Sequence, residues 1–113
     1  MKKTFTLTTP HREYKHCGFY TAKYQNNGAL FIGIAQKSAL GLRSEPLMDV
    51  TVNLDAPPPE GCIYVKSYSE NDGLLEALQT MGLITEVLYG MPSGYVMIPA
   101  CRYDPDVLAS FMC

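Results

Sequence analysis

Tryptophan is absent from this 113-residue chain, and only 18% of the residues are charged. No apolar run approaches the roughly 20 residues that a bilayer-spanning helix requires, so no transmembrane segment is expected. The opening Met1-Lys2-Lys3-Thr4-Phe5-Thr6-Leu7-Thr8-Thr9 shares two lysines with a secretory signal, but its alternating polar residues leave no apolar core for one. A cytoplasmic protein is expected. Cysteine pairs are also missing. Cys17, Cys62, Cys101 and Cys113 lie far apart in sequence, with no Cys-x-x-Cys. A structural zinc site needs clustered ligands, so four free thiols in a reducing compartment are expected, three of them as small apolar residues.

The motifs of chemistry are equally scarce. There is no phosphate-cradling glycine loop, no dinucleotide fingerprint and no His-Glu-x-x-His. Gly90-Met91-Pro92-Ser93-Gly94 imitates a nucleophile elbow only in spelling, because it lies between strands and the elbow turns from strand to helix. His11, His16 and Cys17 form the one close group of ligating residues. In extended chain His16 and Cys17 point to opposite faces, which defeats both a Cys–His nucleophile and a compact metal site. No catalytic residue, metal site or cofactor is assigned, and the chain reads as a non-enzyme.

What is present is a foldable pattern. The length fits one domain spanning residues 1–113. Lys3–Thr9 alternates with Phe5 and Leu7 on one face, as a half-buried strand does. Residues 12–24 continue in strand-forming types, and Gly18 suggests a bulge. Asn26-Asn27-Gly28 is a strong turn signal, because both residue types tolerate positive φ, and Ala29–Ala35 is its partner strand. Residues 36–47 read as a loop able to flap, with Leu40 and Leu42 flanking a glycine. Met48–Leu54 alternates with Met48, Val50, Val52 and Leu54 inward; Pro57, Pro58 and Pro59 then form a stiff connector lacking ladder donors. Cys62–Tyr68 is a further strand. Ser69 or Asn71 can cap a helix over Gly73–Met81, stopped by Gly82. Leu83–Tyr89 and Tyr95–Cys101 make a second hairpin around Met91–Gly94, and Asp104-Pro105 starts a short terminal helix. The expected fold is α+β: a single antiparallel sheet of about five to seven strands built from hairpins, with two short helices on one face.

The formal charge of −2 conceals a gradient. Residues 1–45 carry seven basic and two acidic residues, a net +5; residues 46–113 carry two basic and nine acidic ones, a net −7. Eight tyrosines and four phenylalanines add aromatic surface, with Tyr64, Lys66 and Tyr68 at strand spacing on one face. Such a face suits protein contact, base stacking or cross-strand packing. The acidic balance disfavours nucleic acid, since phosphate binding needs clustered cations.

Several stretches together resemble a family of small uncharacterised domains encoded on conjugative and other mobile elements of Gram-positive gut bacteria. They are Asp49-Val-Thr-Val-Asn-Leu54, Pro59-Glu-Gly-Cys-Ile-Tyr-Val65, the helix ending Gly82-Leu83, Ser93-Gly94-Tyr95 and Pro99. The opening residues and Asn26-Asn27-Gly28-Ala-Leu30 are similar as well. The family's usual form has a tryptophan near the helix start, where this chain has Glu70-Asn71-Asp72-Gly73. The shared motifs are turns and strands, so no catalytic role is carried across. What the resemblance implies is an accessory protein of a mobile element, for which blocking host defence recurs.

The expectation is therefore a protein-binding protein acting as an inhibitor of a bacterial defence nuclease, of anti-CRISPR or antirestriction type. An acidic C-terminal half would enter a basic nucleic-acid channel by charge mimicry, using Glu70, Asp72, Glu76 and Glu86, with Tyr64 and Tyr68 as anchors and Lys66 beside them. The alternatives are a single-stranded nucleic-acid binder using the Tyr/Lys faces, and an accessory domain of purely structural role. Nothing in the sequence decides between monomer and homodimer.

Overall fold

The alternation of Phe5 and Leu7 with threonines makes β1 (Phe5–Thr8), an edge strand with its two apolar side chains buried and its threonines in solvent. The computed structural model describes residues 3–38 and 43–113. Strand β1 pairs antiparallel with β2 (Glu13–Lys23), which pairs with β3 (Leu30–Lys37), and β3 with β4 (Ser44–Asp49). The β2–β3 hairpin turns at the expected place, with Gly28 at φ 71°. Its loop is held by Asn27, whose side chain accepts from Ala29 N at 3.0 Å and donates to Asn53 Oδ1 at 3.0 Å.

The bulge in β2 lies at His16, not Gly18. Phe5 pairs with Cys17 and Leu7 with Tyr14, so β2 spends one extra residue there, and His16 takes φ 60°. Gly18 serves the chain end instead. A Cβ on it would come within 2.9 Å of Cys113 Sγ and 3.0 Å of Phe111 O. That clearance lets residues 111–113 lie alongside β2, where Phe19 N donates to Phe111 O and Cys113 N donates to Phe19 O, both at 2.8 Å.

The expected loop over residues 36–47 is shorter than the sequence suggests. β3 runs to Lys37 and β4 begins at Ser44, with Pro46 tolerated because β4 is an edge strand. Leu40 and Leu42 lie outside the described residues.

The single sheet is corrected to two. Strands β1–β4 form one antiparallel sheet; β5 (Cys62–Tyr64), β6 (Ile84–Ser93) and β7 (Val96–Tyr103) form another, in the order β5-β7-β6. The alternating stretch 48–54 is where the chain changes sheets. Val50 N still donates to Ile32 O of the first sheet at 2.9 Å, while Lys66 N donates to Val50 O and Val52 N to Tyr64 O. Thr51 sits at the crossing, buried, and its hydroxyl oxygen accepts from Ile32 N at 3.2 Å. The three prolines that follow cannot donate to a ladder, so the chain leaves the sheet before β5.

One core cluster joins everything. Phe5, Leu7, Phe19, Ile32 and Ile34 come from the first sheet, and Ile63, Ile84 and Cys101 from the second. Leu74 and Leu78 come from α1 (Leu74–Thr80), and Leu108 from α2 (Pro105–Ser110). A smaller cluster of Tyr64, Ile98 and Ala100 covers the opposite face of the second sheet. Helix α2 starts as expected, with Asp104 Oδ1 accepting from Asp106 N at 2.8 Å. Helix α1 ends as expected at Gly82, which takes φ 91°. Its start differs. The helix begins after Gly73 at φ 86°, and the free Leu75 N–H is met by the Ser67 hydroxyl at 2.9 Å, not by Ser69 or Asn71. Asn71 is buried and donates its amide to Asp49 O at 2.6 Å and Lys66 O at 3.2 Å.

Candidate functional site

The side chains expected to meet a partner do not gather on one surface. Tyr64, expected as an anchor, is a core residue: it is 2% exposed, and its hydroxyl donates to Ala56 O at 2.9 Å. Burial, and then hydrogen bonding with Tyr89, push its phenol above the usual range. Tyr68 packs on the smaller core cluster, with the Lys66 ammonium 5.8 Å from its ring centroid. Lys66 also bonds Glu70, and that ammonium holds the Glu70 carboxyl down at about 2. Lys66, Tyr68 and Glu70 are therefore one self-satisfied group beside the start of α1.

The remaining acids divide differently. Asp72 pairs with His11 at 3.1 Å, and Glu86 on β6 pairs with Arg102 on β7 at 3.3 Å. Exposed pairs of this kind contribute little stability, and the Arg102 guanidinium offsets the Glu86 charge that a partner would meet. Glu76 on α1 makes no ion pair among the described residues, and it is a lining residue of the grooves on both sides of the helix. Of the four acids expected to mimic nucleic acid, three are thus paired within the fold, and Glu76 is the exception.

What the sequence reading missed lies on the β6–β7 hairpin. The large apolar side chains exposed among the described residues are Val87, Tyr89, Tyr95 and Met97, and all four belong to this one hairpin. Tyr95 is fully exposed at the Gly94-Tyr95 turn, where Gly94 takes φ 61°. Met97 is 62% exposed and lies over Gly90, where a Cβ would come within 3.0 Å of its terminal methyl. The strand itself explains the pattern. β6 carries register shifts between Ile84 and Glu86 and between Val87 and Tyr89. With Ile84 buried, alternation along β6 turns Val87 and Tyr89, three and five residues on, to the outer face. Pro92, expected in the turn, is within β6, where an edge strand accepts it. The readable signal was the spelling Val87-Leu-Tyr-Gly-Met91, which alternates poorly for a half-buried strand.

Between α1 and this hairpin runs a groove of about 360 Å³, lined by Leu75, Val87, Tyr89, Met97 and Pro99 together with Asp72 and Glu76. Among the described residues no lysine or arginine lines it. A second groove of about 530 Å³ lies on the other side of α1, between it and the β1 threonines Thr6, Thr8 and Thr9.

The chain matches no family model, no curated protein and no solved structure. Any functional reading therefore rests on the surface just described.

The other candidate chemistries find little to work with. Among the described residues no three His, Cys, Asp or Glu side chains converge as a metal site. His11 is turned to Asp72, His16 is exposed, and Cys17 is buried with its thiol raised by desolvation, so this trio does not converge. Cys101 is buried too, and burial pushes its thiol up to about 11. A nucleophilic thiol needs the opposite shift. The tyrosines of the first sheet are also engaged. Tyr20 and Tyr24 flank Phe31, with centroids 5.7 and 5.8 Å from it, and the Tyr24 hydroxyl bonds the Thr51 hydroxyl at 3.0 Å. Tyr20 also covers Gly33, and its phenol is raised by burial and by the nearby Asp49 charge. An acid beside the ring is poor company for a stacked nucleotide. Among the described residues no helix is long and apolar enough to cross a membrane.

Proposed function

We propose that this chain is a non-enzymatic protein-binding protein whose docking surface is the outer face of the β6–β7 hairpin with the adjoining side of α1. The observation that carries the reading is the gathering of Val87, Tyr89, Tyr95 and Met97 in solvent on one hairpin. Scattered surface apolar residues need no explanation, but Val87, Tyr89 and Met97 line one groove together, and such a grouping marks an interaction face. Tyrosine supplies large contact area at low entropy cost, and methionine adapts to irregular partners. The mobile-element context expected from the sequence gives the proposal a specific form, inhibition of a host defence nuclease, which no matched family or relative supports. In that form the apolar hairpin supplies the contact. Glu76 remains of the acids first expected to mimic nucleic acid, because Glu70, Asp72 and Glu86 are already paired.

The test is co-purification from a Gram-positive host with three versions of the chain: native, Met97→Glu and Lys15→Glu. Met97 and Lys15 are both exposed, so neither change disturbs the core. A partner retained by the native chain and by Lys15→Glu but lost with Met97→Glu is the expected result. Retention of the same partner by all three contradicts the reading. For the nuclease form, the native chain added to the captured nuclease slows substrate cleavage, and Met97→Glu does not.

A further inference from the structure

We infer that the groove between α1 and the β6–β7 hairpin receives a basic side chain, arginine or lysine, presented by the protein partner. The inference rests on the protein-binding reading and adds the chemistry of the recognised group. Leu75, Met97 and Pro99 line the groove together with Glu76 and Asp72. A partner that covers Met97 and Leu75 must also cover Glu76 and strip water from its carboxylate. Burying a carboxylate without a partner is strongly unfavourable, whereas a cation placed against it offsets that cost. No cation of the chain itself lines the groove among the described residues. Asp72 is already hydrogen-bonded to His11, and the Ser67 hydroxyl is occupied by Leu75 N. Glu76 is therefore the unanswered charge, and the partner must bring its counterpart.

The lining agrees with the charge. A long basic side chain lays its methylene stem along apolar surface and keeps its head at a polar group, and the residues here supply both. Tyr89 also lines the groove. An acidic peptide or a nucleic-acid phosphate would meet two carboxylates and no cation, so both are excluded by the same electrostatics.

The test uses the intact ¹⁵N-labelled chain and two blocked tripeptides, Ala-Arg-Ala and Ala-citrulline-Ala, which share a shape and differ in charge. The arginine peptide should shift the amides of Leu75, Glu76, Val87 and Met97, with an affinity about tenfold above that of the citrulline peptide. Glu76→Gln should erase that difference, and Met97→Ala should weaken both peptides alike. Equal shifts with both peptides, shifts centred elsewhere, or the same amides moved by a short oligothymidylate would overturn the inference. A partner capture with Glu76→Lys separates the two levels of the argument. If Met97→Glu abolishes retention and Glu76→Lys does not, the basic side chain is wrong and the docking surface stands. If neither variant matters, the docking surface itself is wrong.

Discussion

Asn71 shows how much one buried polar side chain organises. Its amide donates to Asp49 O on the first sheet and to Lys66 O just beyond β5, so it ties both sheets to the entrance of α1. Removing the amide strands two carbonyls, and Asn71→Ala should cost about 1–3 kcal/mol, measured as a lower urea midpoint at unchanged slope. A loss within error of zero would mean that water replaces the amide. The sequence could not reveal this role, because an asparagine just before a helix is a good cap locally and only the tertiary contacts decide otherwise. Glu70 makes a pH prediction of definite sign. Its carboxyl is lowered from 4.5 to about 2 in the folded chain, chiefly by the Lys66 ammonium. A depressed folded value stabilises above the unfolded one, so the contribution is complete above about pH 4.5 and disappears as the pH falls towards 2. The gap in urea midpoint between native and Glu70→Gln should be constant above that window and close within it. A gap that does not change with pH would show that the Lys66–Glu70 pair carries no net stabilisation, as many exposed pairs do not.

At the scale of elements, the segments legible in advance were those whose signals are local. The β2–β3 turn, the β6–β7 hairpin, the Asp104 cap and the Gly82 stop all follow from residues that adopt their conformations wherever they occur. The features that were missed depend on a neighbour. Gly18 reads as a bulge residue until the chain end is seen lying against it, and Pro92 reads as a turn until β6 proves to be an edge. Gly73 combines both kinds of constraint. It takes φ 86°, and a Cβ there would meet Pro10 Cδ at 2.3 Å. Gly73→Ala should therefore destabilise by about 2–4 kcal/mol, adding a left-handed backbone penalty to a steric one. Differential calorimetry reads this as a fall in Tm of several degrees or more. An unchanged Tm would require the turn between β1 and β2 to move away freely.

For the whole molecule, the decisive departure from expectation is the division into two sheets. The strand that crosses between them at Thr51 leaves the second sheet free to project its β6–β7 hairpin, with Tyr95 at the tip and Met97 behind it. The ion pairs leave the charge gradient written in the sequence in place, since Lys66–Glu70 and Arg102–Glu86 each join residues of the acidic half and His11–Asp72 is the pair that links the two halves. What remains for a partner is an apolar face with Glu76 beside it. Alternation from Ile84 places Val87 and Tyr89 on one face of β6, but that this face meets solvent follows from the packing of the second sheet, which the sequence does not spell out. The most direct measurement of the central claim is photo-crosslinking in cells, with a photoreactive residue placed in turn at positions 95, 97, 15 and 60. A covalent protein adduct from positions 95 and 97, absent from the exposed positions 15 and 60, is the predicted result. Equal adducts from all four positions, or adducts from 15 and 60 alone, would contradict it.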